Sequence, residues 1–221
     1  MLTLAPQRIP PTATLASICA NIRGGAVERI SFRVGTPVAH VYFISVEEAA
    51  NYIQFCRAQG GVYWAGANRA VSTVDEIPAS KGGHRPVPAA IVRRIREEGA
   101  TRCLRVWNLP NTIGVGLLMD QLRNQSRGAA EQIEGLQLVP EQGRTTFSAL
   151  LRMASIGTAI ATRERLQRFR YYAGCTYQSI PDPTEGSLED LACRWSRERF
   201  VETAAATYNP YPIGAMRMGA P

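Results

Sequence analysis

Apolar positions along the chain switch between two spacings, one suited to strands and one to helices, and the whole succession occurs twice. Leu2-Thr3-Leu4 reads as an opening strand. Thr12 or Thr14 can cap a helix running to about Arg23, with Leu15, Ile18, Cys19 and Ile22 on one face. Gly24-Gly25 stops that helix. Strands are predicted at Val27–Arg33 and Val38–Ile44, where Ala39, Val41 and Phe43 alternate with Val38, His40 and Tyr42. Val46–Ala58 has helical spacing, and a last strand falls near Ala70–Val74 after a Gly66-Ala67-Asn68 turn. The second half follows suit: strand Leu104–Asn108, helix Ile113–Arg123, strands Gln132–Val139 and Thr146–Met153, helix Ile156–Arg168, strand Thr176–Ile180. Phe43-Ile44-Ser45-Val46 matches Met153-Ala154-Ser155-Ile156, and Tyr63-Trp64-Ala65-Gly66 matches Tyr171-Tyr172-Ala173-Gly174.

A β-α-β-β-α-β order in each half predicts the α+β class, as two ferredoxin-like sandwiches. Each would have four antiparallel strands, two helices on one face, and the other face open. An open sheet invites a partner, although many functions use this fold. The expected divisions are 1–78 and 102–182 for the two domains, 79–101 for a linker with a short helix, and 183–221 for a C-terminal helix and extended tail. In the last segment, Ser187-Leu188-Glu189-Asp190 looks like a helix start after Pro181, Pro183 and Gly186, with Leu188, Leu191, Trp195 and Phe200 forming an apolar stripe. Such a helix needs a surface, on the second domain or on a partner. Packing within the chain is expected, and laid over the second sheet it would cover Trp107.

Composition narrows the classes. With 221 residues and 45% apolar residues the chain can build two small cores. No apolar run approaches a membrane span, and the first 20 residues lack a signal-peptide pattern, so an intracellular setting is expected. The chain opens directly on a strand, as a fragment of a longer protein would. Five scattered cysteines argue against a disulfide framework or a zinc site, and His40 and His84 have no ligand companions at metal spacing. Neither Gly82-Gly83 nor Gly114–Gly116 fits a phosphate loop or dinucleotide fingerprint, and no nucleophile, base and acid set stands out. No enzyme, metal or cofactor is expected. The net charge of +7 comes from 25 basic residues, all arginine except Lys81, concentrated before residue 180. Arginine can grip phosphate and stack on bases, so a polyanion is the partner that the charge favours.

One segment is specific. Cys103-Leu104-Arg105-Val106-Trp107-Asn108-Leu109-Pro110 resembles the first-strand motif of RNA-recognition-motif (RRM) domains, apolar-aromatic-apolar-x-Asn-Leu-Pro. Together with Ile22-Arg23-Gly24-Gly25-Ala26-Val27-Glu28, and with Val87-Pro88-Ala89-Ala90-Ile91-Val92 leading to Gly99-Ala100-Thr101-Arg102, it makes residues 1–180 similar to a fungal subgroup. These are the multi-RRM RNA-binding proteins of the negative-regulator-of-differentiation type. The resemblance implies single-stranded RNA binding and control of mRNA after transcription, in cytoplasm or nucleus.

The chain departs from that pattern on its sheet faces. The third-strand stacking slots hold Val38 and His40 in one half and Ser148 and Leu150 in the other; the first-strand slots hold Thr3 and Arg105. Stacked rings contribute about 1–3 kcal/mol per base, so their loss weakens or relocates binding. By alternation the remaining candidates for RNA contact are Arg105, Trp107 and Arg152 in the second half and His40 and Tyr42 in the first. Arg93, Arg94 and Arg96 on the linker helix are candidates for phosphate contact. The alternative is an interaction scaffold, in which a sheet face or the C-terminal helix binds a protein partner or a second copy.

Overall fold

The computed structural model describes residues 2–7, 9–64, 71–77, 86–110, 112–123, 132–141 and 146–207. In the first half, β1 (Leu2–Gln7), α1 (Leu15–Ala20), β2 (Val27–Phe32), β3 (Ala39–Phe43), α2 (Val46–Ala58), a two-residue β4 (Val62–Tyr63) and β5 (Val71–Glu76) follow in order. Helix α3 (Ala89–Glu98) connects to β6 (Cys103–Pro110), α4 (Val115–Arg123), β7 (Ile133–Pro140), β8 (Thr146–Met153), α5 (Ile156–Leu166) and β9 (Thr176–Ile180), and α6 (Leu188–Thr207) comes last. The sheets run β2-β3-β1-β5-β4 and β7-β8-β6-β9, with antiparallel neighbours throughout. Apart from β4 the two orders are the same, and both halves are ferredoxin-like sandwiches.

Alternation decides which side of each strand is buried. In β3, Ala39, Val41 and Phe43 are at most 1% exposed, while His40 and Tyr42 stand on the other face. In β8, Ala149, Leu151 and Met153 enter the second core with Leu104 and Val106 of β6. The repeated strand-to-helix segment has a simple cause. Ser45 and Ser155 cap α2 and α5, each side chain accepting a hydrogen bond from the backbone N–H three residues on. Thr14, rather than Thr12, caps α1 and shares a reciprocal capping box with Ser17; the helix ends at Ala20, short of Arg23. The aromatic repeat also has a packing basis, since Trp64 and Tyr172 are both buried ahead of the last strand of their sandwich. Ala70, the Gly66-Ala67-Asn68 turn, His84 and the 208–221 tail lie outside the described residues.

The sandwiches meet edge to end. Strand β2 is the edge of the first sheet, and its Ile30 N–H donates to the Ala154 carbonyl at 2.7 Å, beside a bridge between Arg29 and Ser155. A free edge is thereby partly paired. Helix α1 lies against β7 and against the 3-10 turn Pro183–Glu185. At the centre is Arg102, 1% exposed. Its Nε is 2.7 Å from Asp182 Oδ2, Nη2 donates to Asp182 Oδ1 at 2.8 Å, and Nη1 donates to the Met153 carbonyl at 2.8 Å. Glu134 stands 3.4 Å away. Burial works against the charge, but the Cys19 sulfur, Asp182 and Glu134 outweigh it and raise the guanidinium pKa.

The C-terminal helix corrects an expectation: α6 packs within the chain, but on the helical side of the first domain and not on the second. Leu191 and Trp195 belong to the first core, at 2% and 0% exposure, with Leu188 packed beside them. A buried indole N–H needs an acceptor. Asn21, just past α1, supplies it: its Oδ1 accepts from Trp195 Nε1 and Arg194 Nη2, both at 2.8 Å. The Phe55 ring lies 5.5 Å from that of Trp195. The entry to α6 is fixed by the Gly24 and Gly25 N–H groups, which donate to the Gly186 and Thr184 carbonyls at 2.8 and 3.1 Å. Gly24 has φ +85°, and a Cβ there would lie 2.8 Å from Leu188 Cγ, so the glycine pair both turns the chain and admits α6.

Candidate nucleic-acid interface

On the second sandwich, β6 points Leu104 and Val106 inward and Arg105 and Trp107 to the open face. The two outward side chains lie on each other: the Arg105 guanidinium carbon is 3.4 Å from the Trp107 ring centroid. Such a contact is worth about 0.5–2 kcal/mol depending on desolvation. Arg105 Nη2 also donates to Ser148 Oγ at 3.2 Å, while its Nε is buried without a hydrogen-bond partner. Register places Arg105 between Leu150 and Gln178, and Trp107 beside Thr176. Beyond Trp107 the strand bulges. Asn108 has φ +58°, donates its N–H to Glu141 at 3.0 Å, and returns Leu109 to the core. Asparagine tolerates this left-handed conformation better than most residues, which accounts physically for its place after the tryptophan.

Arg152 is on the same open face, opposite Cys103, with its side chain 47% exposed and its Nε 3.6 Å from Glu134. Beside it is a groove of about 290 Å³, lined by Leu150, Gln137, Arg152, Ile180, Pro181 and Pro183. It has an apolar floor, an amide and a guanidinium, suited to a flat ring with polar edges. Cys103 also lines it; burial pushes its thiol up to about 12.

The first sandwich repeats the ring-and-arginine arrangement. Tyr42 and His40 share the open face of β3, and Arg29 of β2, in register with Tyr42, holds its guanidinium carbon 4.2 Å from the Tyr42 ring centroid. Arg29 was not among the residues singled out by sequence. A bulge at Glu28 breaks the alternation of β2, so only the observed register brings Arg29 to the ring. Glu28 is 7% exposed, and burial raises its carboxyl pKa against the pull of Arg29. Thr3 pairs with Tyr42 in the backbone register.

The linker arginines lie elsewhere. Helix α3 runs beside α5, where Arg94 is engaged by Glu98 and Glu164 and Arg163 by Glu98. Arg93 is 3.9 Å from Glu97, both well exposed, and Arg96 is exposed. The linker helix is thus on the helical side of the second sandwich and does not close a channel over its sheet. Among the described residues no group of three or more His, Cys, Asp or Glu could hold a metal ion, and no helix is long and apolar enough to cross a membrane.

The chain matches no family model and no curated protein. Among solved structures it is similar to the three N-terminal RNA-binding domains of the yeast splicing factor Prp24, at 12% identity and a TM-score of 0.35 over 81% of its length. It spans 64% of that chain. A second similar structure holds the first two RRM domains of the yeast poly(U)-binding protein Pub1, with 10% identity, a TM-score of 0.25, and coverage of 80% of this chain and 96% of that one.

Proposed function

We propose that the chain binds single-stranded RNA through the open faces of its two sandwiches, and acts in the control of mRNA after transcription. One observation carries the reading: on each open face an arginine guanidinium lies over a ring, Arg29 over Tyr42 and Arg105 over Trp107. The standard stacking slots are filled by other residues, yet each face keeps a π surface next to a cation. A base can stack on that pair while the guanidinium reaches a phosphate. Arg152 and the neighbouring groove extend the second face, and His40 the first.

Less of α6 is left for the scaffold alternative, because Leu191 and Trp195 are buried against the chain's own first domain. Titration of a labelled random single-stranded RNA pool from low to physiological salt tests the proposal. Micromolar or tighter binding is expected, with log affinity falling against log salt at a slope of about −0.7 per phosphate contacted. Absence of binding at low salt refutes it.

A further inference from the structure

The way the sandwiches join fixes where their open faces look. In the first sandwich, α1 and the open sheet face are on opposite sides of one layer of strands. Strand β2 pairs with the junction between β8 and α5, through the Ile30–Ala154 hydrogen bond and the Arg29–Ser155 bridge, and packs against α5 itself, in the helical layer of the second sandwich. Helix α1 meets β7, in the sheet layer, and the turn Pro183–Glu185, whose Pro183 lines the groove on the second open face. Passing from the first open face through its sheet to α1 is therefore passing from the helical layer of the second sandwich towards its open face. The first open face turns to the α5 side and the second turns the opposite way. The contact of buried Arg102 with Cys19 of α1 and the docking of α6 hold this arrangement.

Resting on the RNA-binding reading above, we infer that the chain holds two separate single-stranded RNA segments, one on each side of a fused body, rather than one strand laid across both faces. To reach both, a single strand must pass round the edge of a two-layer sandwich, at least about 20 Å of protein with each layer about 10 Å thick. The Arg29–Tyr42 pair serves one segment and the Arg105–Trp107 pair the other. The partner this fits is a looped RNA, or two strands brought together.

Analytical ultracentrifugation of the full chain with short, about eight-nucleotide, random single-stranded RNA tests this. Two oligonucleotides per chain are expected. Arg105→Ala with Trp107→Ala, or Arg29→Ala with Tyr42→Ala, should each leave one. Two oligonucleotides joined directly should bind no more than about twofold tighter than one, and joined through a lengthening flexible spacer about 100-fold tighter once it clears the edge. One oligonucleotide per chain, or a full gain without a spacer, overturns the inference. No binding of any oligonucleotide by the unaltered chain removes the RNA reading itself.

Discussion

Arg102→Ala is the most informative single perturbation, because this buried side chain ties the second sandwich together and reaches Cys19 of the first at 3.7 Å. The substitution leaves the Asp182 carboxylate, 2% exposed, without its cation, leaves Glu134, 6% exposed, with Arg152 alone, and takes a donor from the Met153 carbonyl. Removing one partner of a buried ion pair costs about 3–5 kcal/mol, and a buried acceptor left unsatisfied about 1–3 kcal/mol. Water entering the vacated volume offsets part of this, so a loss of about 4 kcal/mol is expected. At about 2–4 °C per kcal/mol for a chain of this size, the melting temperature should fall by about 8–16 °C. Urea denaturation read by far-ultraviolet circular dichroism and by tryptophan fluorescence, with Trp195 on the first core and Trp107 on the second sandwich, should change from coincident curves to separated ones. Arg102→Met with Asp182→Asn removes the two charges of the closest pair together, leaving Glu134 to Arg152, and Asn keeps an oxygen for the Thr184 N–H that Asp182 now binds at 3.0 Å. The pair should recover at least half of the loss. A cost below about 1 kcal/mol for Arg102→Ala, or no recovery in the double variant, would refute the reasoning.

Other outcomes follow from single features. Trp107→Ala should weaken RNA binding by about 1–3 kcal/mol, roughly 5- to 150-fold by equilibrium titration, with circular dichroism unchanged, since the ring is on the open face and outside the core; unaltered affinity would remove its assigned role. Asn108→Gly should melt within a few degrees of the parent while Asn108→Ala loses about 1 kcal/mol, because φ +58° penalises the added Cβ without the asparagine amide. Burial raises the Glu28 pKa, so its ionised form opposes folding: Glu28→Gln should be more stable than the parent at pH 7, the gain shrinking as pH falls through the raised value and vanishing below the ordinary glutamate value of about 4.3. A gain that persists at pH 3 would point to another cause. Under native conditions at pH 8 a thiol reagent should modify exposed Cys193 quickly and leave Cys56 and Cys103 intact, as burial pushes both thiols to about 12.

The parts of this molecule that alternate were legible in its sequence. Bounds for β8 and β9 agree residue for residue, because strands with one buried face carry a period of two that few other structures imitate. The same parity placed Arg105 and Trp107 together. Long-range packing left no such mark. The stripe on α6 showed that the helix must be buried, but its acceptor, Asn21, is 174 residues away. Arg102 was one arginine among many, with no periodic neighbour to flag it, and stood at the edge of a presumed linker. Arg29 was hidden by the Glu28 bulge, and Arg94 was read as free for phosphate because its partner Glu164 belongs to another helix.

Placing Trp195 in the first core has a consequence for synthesis on the ribosome. The β-strands and helices of the first sandwich are complete by Glu76, yet Leu191 and Trp195, made some 119 residues later by the distance from 76 to 195, finish its packing. At about 5–20 residues per second that gap is roughly 6–24 s, during which Phe55 and Asn21 lack their final neighbours. The nascent chain must keep that patch from other apolar segments until its own end arrives. A chain released after Ile180 would hold both sheets and one unfinished core.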